Sequence, residues 1–194
     1  MDVALFGGSF DPPHVGHLLA AAYVLATEPV DELWLVPVFE HPFGKRFRGP
    51  YQHRVRLCEE AVATLGLARA KVSLLEAELA ALGGEGRTVE LLEHLQKTRP
   101  QDRFSLVIGS DLLAETAQWK RFDRVRELAR LIVLERGGHQ ANAPLSAGAA
   151  GPVIIEASST LVRALLAEGK DASRYLARRV LSEIEREGHY RARP

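Results

Sequence analysis

The chain has 194 residues, enough for one α/β domain with a real core. Its 25 Lys and Arg balance 25 Asp and Glu, so no global basic field points to a nucleic-acid partner and any anion site must be local. The single cysteine, Cys58, excludes an internal disulfide framework and a cysteine-based structural zinc site; with no basic leader and no run of about 18 apolar residues, the chain reads as cytoplasmic, neither secreted nor inserted in a membrane.

In chain order, short apolar runs alternate with longer amphipathic ones, the pattern of a parallel sheet with crossover helices. A strand over residues 3–6 runs into the stretch GGSFDPPHVGH, residues 7–17, and a helix over 15–27. A second strand, 33–38, precedes the basic segment of Lys45, Arg46 and Arg48 and a helix over 51–65. A strand at 71–75 is followed by the loop GGEGR and a helix over 88–97; then come a strand at 104–108, a helix over 123–130 and a strand at 131–134. Residues 137–152, rich in small and turn-forming residues, read as a surface excursion before a last strand at 153–155 and helices over 159–168 and 173–187. The expectation is an α/β fold: a Rossmann-like, doubly wound parallel sheet with flanking helices, forming a single domain over 1–194. Such a sheet holds ligands at the carboxyl ends of its strands, near the point where strand order reverses.

The first of those loops is the most informative. Gly7 and Gly8 allow a sharp turn and close approach to a ligand, while Pro12 and Pro13 stiffen the loop. With a helix starting near His14 or Val15, His14 and His17 share one face, and Gly16 between them leaves room for what they bind. Free N–H groups and the dipole at that helix start favour an anion, and two imidazoles add donors, so a phosphate chain fits. Near the far end, SSTLVR places Ser159 or Thr160 to cap a helix and Arg163 one turn in, where a guanidinium can clamp phosphate oxygens bidentately.

GGSFDPPHVGH resembles the signature loop of the nucleotidylyltransferase superfamily, in which H-x-G-H holds the phosphates of a nucleoside triphosphate. SSTLVR resembles the S-S-T-x-[IV]-R element of its adenylyltransferases and separates the chain from the class I aminoacyl-tRNA synthetases, which need a lysine-rich loop and a longer chain. IGSD with WKR, the GRTVE segment and the closing VLSEIEREGHY are similar to elements of the nicotinate mononucleotide adenylyltransferases. The Ser-Tyr of that family's S-Y-T loop is missing, and His189 stands at its terminal leucine position. The resemblance implies His14 and His17 as catalytic residues. It implies ATP contacts from Gly7, Gly8, Ser9, Phe10, Lys45, Gly109, Asp111, Ser159, Thr160 and Arg163, and acceptor contacts from Thr88, Trp119 and Arg136, with the tryptophan plate on the pyridine ring.

No nucleophile is paired with a base in these motifs, so direct adenylyl transfer from ATP to a mononucleotide is expected, by positioning and charge stabilisation. Mg2+ is expected to arrive with ATP, and no protein metal ligand is named; His41, His53, His94, His139 and His189 read as structural or surface residues. The expected acceptor is nicotinate mononucleotide. Nicotinamide mononucleotide, phosphopantetheine and a non-catalytic nucleotide-binding module are the alternatives. Small molecules are the expected partners, without nucleic acid or membrane, and the number of copies in the assembly, a homo-oligomer included, is open.

Overall fold

The structure of the protein is a computed structural model that describes residues 1–40, 44, 46–85, 87–113, 116, 119–134 and 157–190, with the backbone alone at Asp111 and Leu113. One parallel sheet has the order β3-β2-β1-β4-β5, made by β1 (Asp2–Gly8), β2 (Glu32–Pro37), β3 (Ala70–Val72), β4 (Arg103–Gly109) and β5 (Ala129–Leu134). The helices are α1 (Val15–Thr27), α2 (Tyr51–Leu65), α3 (Leu75–Ala81), α4 (Thr88–Thr98), α5 (Ser110–Leu113), α6 (Phe122–Leu128), α7 (Ser159–Ala167) and α8 (Arg178–Glu187). β1 is central, paired with β2 on one side and β4 on the other, so strand order reverses between β1 and β4. The carboxyl ends of those strands, at Gly7, Gly8 and Gly109, flank the crevice that such a reversal opens.

Alternation along β1 explains the layers. Val3 and Leu5 join the apolar layer that includes Leu79, Leu92, Leu95 and Val125 of α3, α4 and α6. Ala4 and Phe6 point the other way, against Ala21 and Val24 of α1 and Cys58 of α2. Burial on both faces is why these strands read as continuous apolar runs rather than alternating ones. A third layer packs α7 and α8 over α1 and α2 through Leu18, Leu57, Val162, Val180 and Ile184.

The helices expected over 15–27 and 51–65 form with those bounds. The strand expected at 71–75 does not. Among the described residues β3 pairs only with β2; it ends at Val72, and the chain turns helical at Leu75, burying Leu75 and Leu79 four residues apart. The helix expected from 173 begins at Arg178 instead, because the preceding residues form turns closed by bonds from Tyr175 N–H to the Ala172 carbonyl and from Ser173 N–H to Asp171. β5 begins at Ala129, two residues before the expected strand, since it pairs with β4 from Phe104 onward; α6 correspondingly ends at Leu128. The expected strand at 153–155 and the excursion at 137–152 lie outside the described residues.

The first turn of α3 buries Glu76, whose carboxylate accepts the Phe39 N–H. Burial pushes this carboxyl up to about 7 from an ordinary 4.5, the Phe39 bond pulling the other way. A carboxyl raised in the folded state contributes fully below the unfolded value and loses that contribution as pH rises through the folded one. Glu76→Gln is therefore expected to flatten the pH dependence of stability between about 4.5 and 7. Above that window it should stabilise by on the order of 3 kcal/mol. Urea unfolding of both proteins across this window checks it, and parallel pH profiles would return Glu76 to normal titration.

Candidate active site

β1 delivers its two terminal glycines to different neighbours. A Cβ on Gly7 would meet nothing within 4 Å, leaving the strand end open to a guest, whereas one on Gly8 would lie 3.0 Å from the Phe10 ring. Phe10 holds a left-handed backbone, φ 44°, and its ring is fully buried with its centroid 4.9 Å from that of His17 and 5.7 Å from that of Phe6. The Phe10 side chain forms a floor under His17, closed to solvent. The Asp11–Pro12 bond that follows is cis.

His14 is the N-cap residue of α1 and His17 its third helical residue. Their ring centroids are 3.8 Å apart, with His14 buried and His17 half-buried. The His14 backbone N–H donates to His17 Nδ1 at 3.2 Å. A backbone N–H can only donate, so Nδ1 must carry a lone pair and the proton of the neutral ring resides on Nε2. The His17 ring therefore presents an N–H donor at its far nitrogen.

Two expectations about this helix start change. Gly16 makes room for the His14 ring rather than for a ligand, because a Cβ there would lie 3.1 Å from His14 Cε1 and Nδ1. The Val15 N–H is not free for an anion, since it donates to the Tyr175 carbonyl at 2.9 Å.

The second motif is stitched to the first. Ser158, not Ser159 or Thr160, caps α7 by accepting the Leu161 N–H at 3.1 Å. Ser159 is thereby freed to donate to the Pro12 carbonyl at 2.9 Å, a contact across 147 residues of chain. Arg163 donates to the Asp11 carbonyl at 2.7 Å and to Thr160 Oγ1 at 3.1 Å, with the Asp11 carboxylate 3.8 Å away. The structure thus brings His14, His17, Ser159, Thr160 and Arg163 around one loop.

Sequence reasoning missed two residues beneath that loop. Asp11 is 3 % exposed and accepts the N–H groups of Arg48 at 2.8 Å and Gly49 at 2.9 Å, one on each carboxylate oxygen. Tyr190, also buried, sits beside it; burial and then the Asp11 carboxylate push its phenol far above the ordinary range. Arg54 is 1 % exposed, held by three main-chain carbonyls. The available signal was an arginine on the apolar stripe of α2 it shares with Leu57, Cys58 and Ala61.

On the other side of the sheet, Thr88 is the first residue of α4 and Trp119 stands half-buried ahead of α6, edge-on to Phe122 at 5.9 Å. Glu85 joins the two segments, pairing with Arg87 at 2.6 Å and Lys120 at 3.5 Å, while Arg121 reaches Glu93 of α4 at 3.0 Å. Gly109 closes β4, and Asp111 follows within α5. Lys45 and Arg136 lie outside the described residues. Arg46 and Arg48 have exposed side chains. His53 and His189 come together, with ring centroids 4.2 Å apart, and burial lowers the His53 pKa. Among the described residues, no three His, Cys, Asp or Glu are grouped to hold a metal, and no helix is long and apolar enough to cross a membrane.

The residues 5–165 match the family model described as cytidylyltransferase-like. The chain is 47 % identical over 190 residues to a protein of Anaeromyxobacter dehalogenans, covering 98 % of this chain and 97 % of that one. It is 46 % identical over 191 residues to one of Myxococcus xanthus, covering 98 % and 95 %. Both carry the name nicotinate-nucleotide adenylyltransferase. A solved structure of Plasmodium falciparum nicotinic acid mononucleotide adenylyltransferase complexed with NaAD superposes with a TM-score of 0.77 over 97 % of each chain; at 19 % identity, this likeness speaks for the fold. With a signature loop, a second motif bonded to it and relatives matched over nearly their whole length, the chain belongs to the nicotinate-nucleotide adenylyltransferase family of cytidylyltransferase-like nucleotidyltransferases.

Proposed function

We propose that this enzyme transfers the adenylyl group of ATP to nicotinate mononucleotide, giving deamido-NAD and pyrophosphate in NAD biosynthesis. An oxygen of the acceptor's 5′-phosphate attacks the α-phosphorus in line. The bond from that phosphorus to the oxygen bridging α and β breaks, and pyrophosphate leaves with the electron pair. The observation that carries the reading is the stacked His14–His17 pair, in which the His14 N–H fixes His17 Nδ1 as an acceptor and so puts the ring proton on Nε2, the kind of donor that charge developing on the α-phosphate requires.

His14, Lys45 and Arg163 hold the β- and γ-phosphates in this reading. Gly7 and Gly8 give close approach, Ser9 supports the loop, and Ser159 and Thr160 line the facing helix start. Gly109 and Asp111 meet the adenosine. Thr88, Trp119 and Arg136 take the pyridine mononucleotide, consistent with the Glu85 link that draws the Thr88 and Trp119 segments together. Mg2+ arriving with ATP would offset the charge of the departing pyrophosphate. The donors around the loop are N–H groups and a guanidinium, which suit phosphate oxygens rather than a cation, so the ion is expected to take phosphate and water ligands. Zero net charge and a buried lone thiol support a cytoplasmic enzyme, acting as one domain on small molecules without nucleic acid or membrane partners.

Pyrophosphate release with ATP, Mg2+ and, separately, nicotinate mononucleotide, nicotinamide mononucleotide and phosphopantetheine tests this. The first acceptor is expected to give the highest kcat/KM; silence with all three would sink the reading. Trp119→Ala should raise the KM for the pyridine mononucleotide by roughly tenfold, the loss of about 1.4 kcal/mol of ring stacking, with kcat little changed. An unaltered KM would make Trp119 a packing residue for Phe122 alone.

A further inference from the structure

α2 buries one charged group that the transfer chemistry leaves unused. Arg54 donates through Nη1 to the Ser9 carbonyl at 2.8 Å, through Nη2 to that of Val38 at 2.8 Å, and through Nε to that of Gly49 at 3.3 Å. Its guanidinium carbon lies 3.9 Å from the centroid of the Phe47 ring and 5.5 Å from that of Tyr51. Among the described residues no carboxylate stands within ion-pair distance of it. A buried cation is costly unless its hydrogen bonds are met, and here main-chain oxygens and ring faces meet them.

The three carbonyls belong to three segments around the site: the signature loop, the residue after β2, and the entry to α2. They are also bonded to each other. Val38 N–H donates to the Gly8 carbonyl at 3.0 Å, and Gly49 N–H to the Asp11 carboxylate at 2.9 Å. Because a trans peptide is planar, drawing the Ser9 carbonyl toward Arg54 aims the Phe10 N–H to the opposite side of the loop. The same rule accounts for the Phe39 N–H, which turns from Arg54 to Glu76.

We propose that Arg54 is a positioning residue for adenylyl transfer: by fixing the Ser9, Val38 and Gly49 carbonyls, it holds the signature loop in its phosphate-ready shape before ATP arrives. This rests on the reading of that loop as the triphosphate cradle. Lysine does not substitute, because one ammonium cannot span three carbonyls as the planar guanidinium fork does.

The test is Arg54→Lys and Arg54→Ala in the full chain, assayed well below each variant's Tm. Arg54→Lys is expected to lower kcat/KM for ATP by roughly 10- to 100-fold, the scale of a misplacement of about 1 Å, with KM for nicotinate mononucleotide within about twofold. Free guanidinium at millimolar concentration should restore part of the activity of Arg54→Ala, whereas urea should not and the wild type should gain nothing. A purely structural role would lower Tm in both variants and leave these kinetic readouts unmoved. Wild-type kcat/KM for ATP in folded Arg54→Lys overturns the proposal, as does equal rescue by urea. Calorimetric ATP binding separates the two readings: a wild type that binds ATP but turns over no acceptor sinks the function, while weaker ATP binding by Arg54→Lys still upholds the positioning role.

Discussion

His17→Ala is expected to lower kcat by roughly 10²- to 10³-fold, the cost of deleting one donor to transition-state charge, while KM for ATP changes little. The ring has two tasks that can be separated. Nδ1 accepts the His14 N–H and so caps α1, while the proton on Nε2 is the one proposed to face the α-phosphate. Losing the cap costs about 1 kcal/mol of stability, whereas a kcat loss of that size corresponds to about 3–4 kcal/mol at the transition state. Asparagine can restore the acceptor for His14 N–H without restoring the far donor. His17→Asn should therefore recover much of the stability and little of the rate, as read by thermal unfolding beside steady-state kinetics. Near-normal turnover in either variant would remove His17 from the chemistry.

Asp11→Asn is expected to destabilise the protein by about 2–3 kcal/mol although it is nearly isosteric. Each carboxylate oxygen of Asp11 accepts a different main-chain N–H, from Arg48 and from Gly49. An amide has one acceptor end, so its NH₂ must face one of those donors in a site that is 3 % exposed. Tm should fall by about 5–10 °C in a chain of this size. Arg163 also loses the carboxylate 3.8 Å from it, so turnover should drop in the folded variant. Urea unfolding together with kcat measures both, and a stability within about 0.5 kcal/mol of wild type would show that the loop does not depend on this carboxylate.

Much of this was legible from local order. GGSFDPPHVGH and SSTLVR were readable because backbone freedom, proline stiffness and helix-start chemistry act within a few residues, and α2 was readable because Leu57, Cys58 and Ala61 recur at helical spacing. The run at 71–75 misled for the same local reason. A short apolar stretch suits a strand or the start of a helix equally, and only the end of pairing with β2 at Val72 and the burial of Leu79 chose between them. The cap of α7 was off by one residue, since three adjacent hydroxyl residues all favour that role; the nearby Pro12 carbonyl decided which was engaged elsewhere.

By itself, then, the sequence determined the chemistry on offer: two imidazoles one turn apart behind a stiff loop, an arginine one turn into a second helix, and an apolar pattern that closes into a parallel sheet. Only the tertiary structure decided how those groups are held. Sequence patterning singled out neither Asp11 nor Arg54, and burial makes both into groups whose bonds fasten the loop. Gly16 looked like space for a ligand and became space for His14. Hydrogen bonds between segments as far apart as Pro12 and Ser159 depend on distances that no local spacing encodes. A buried polar group must find its partner wherever the fold places one.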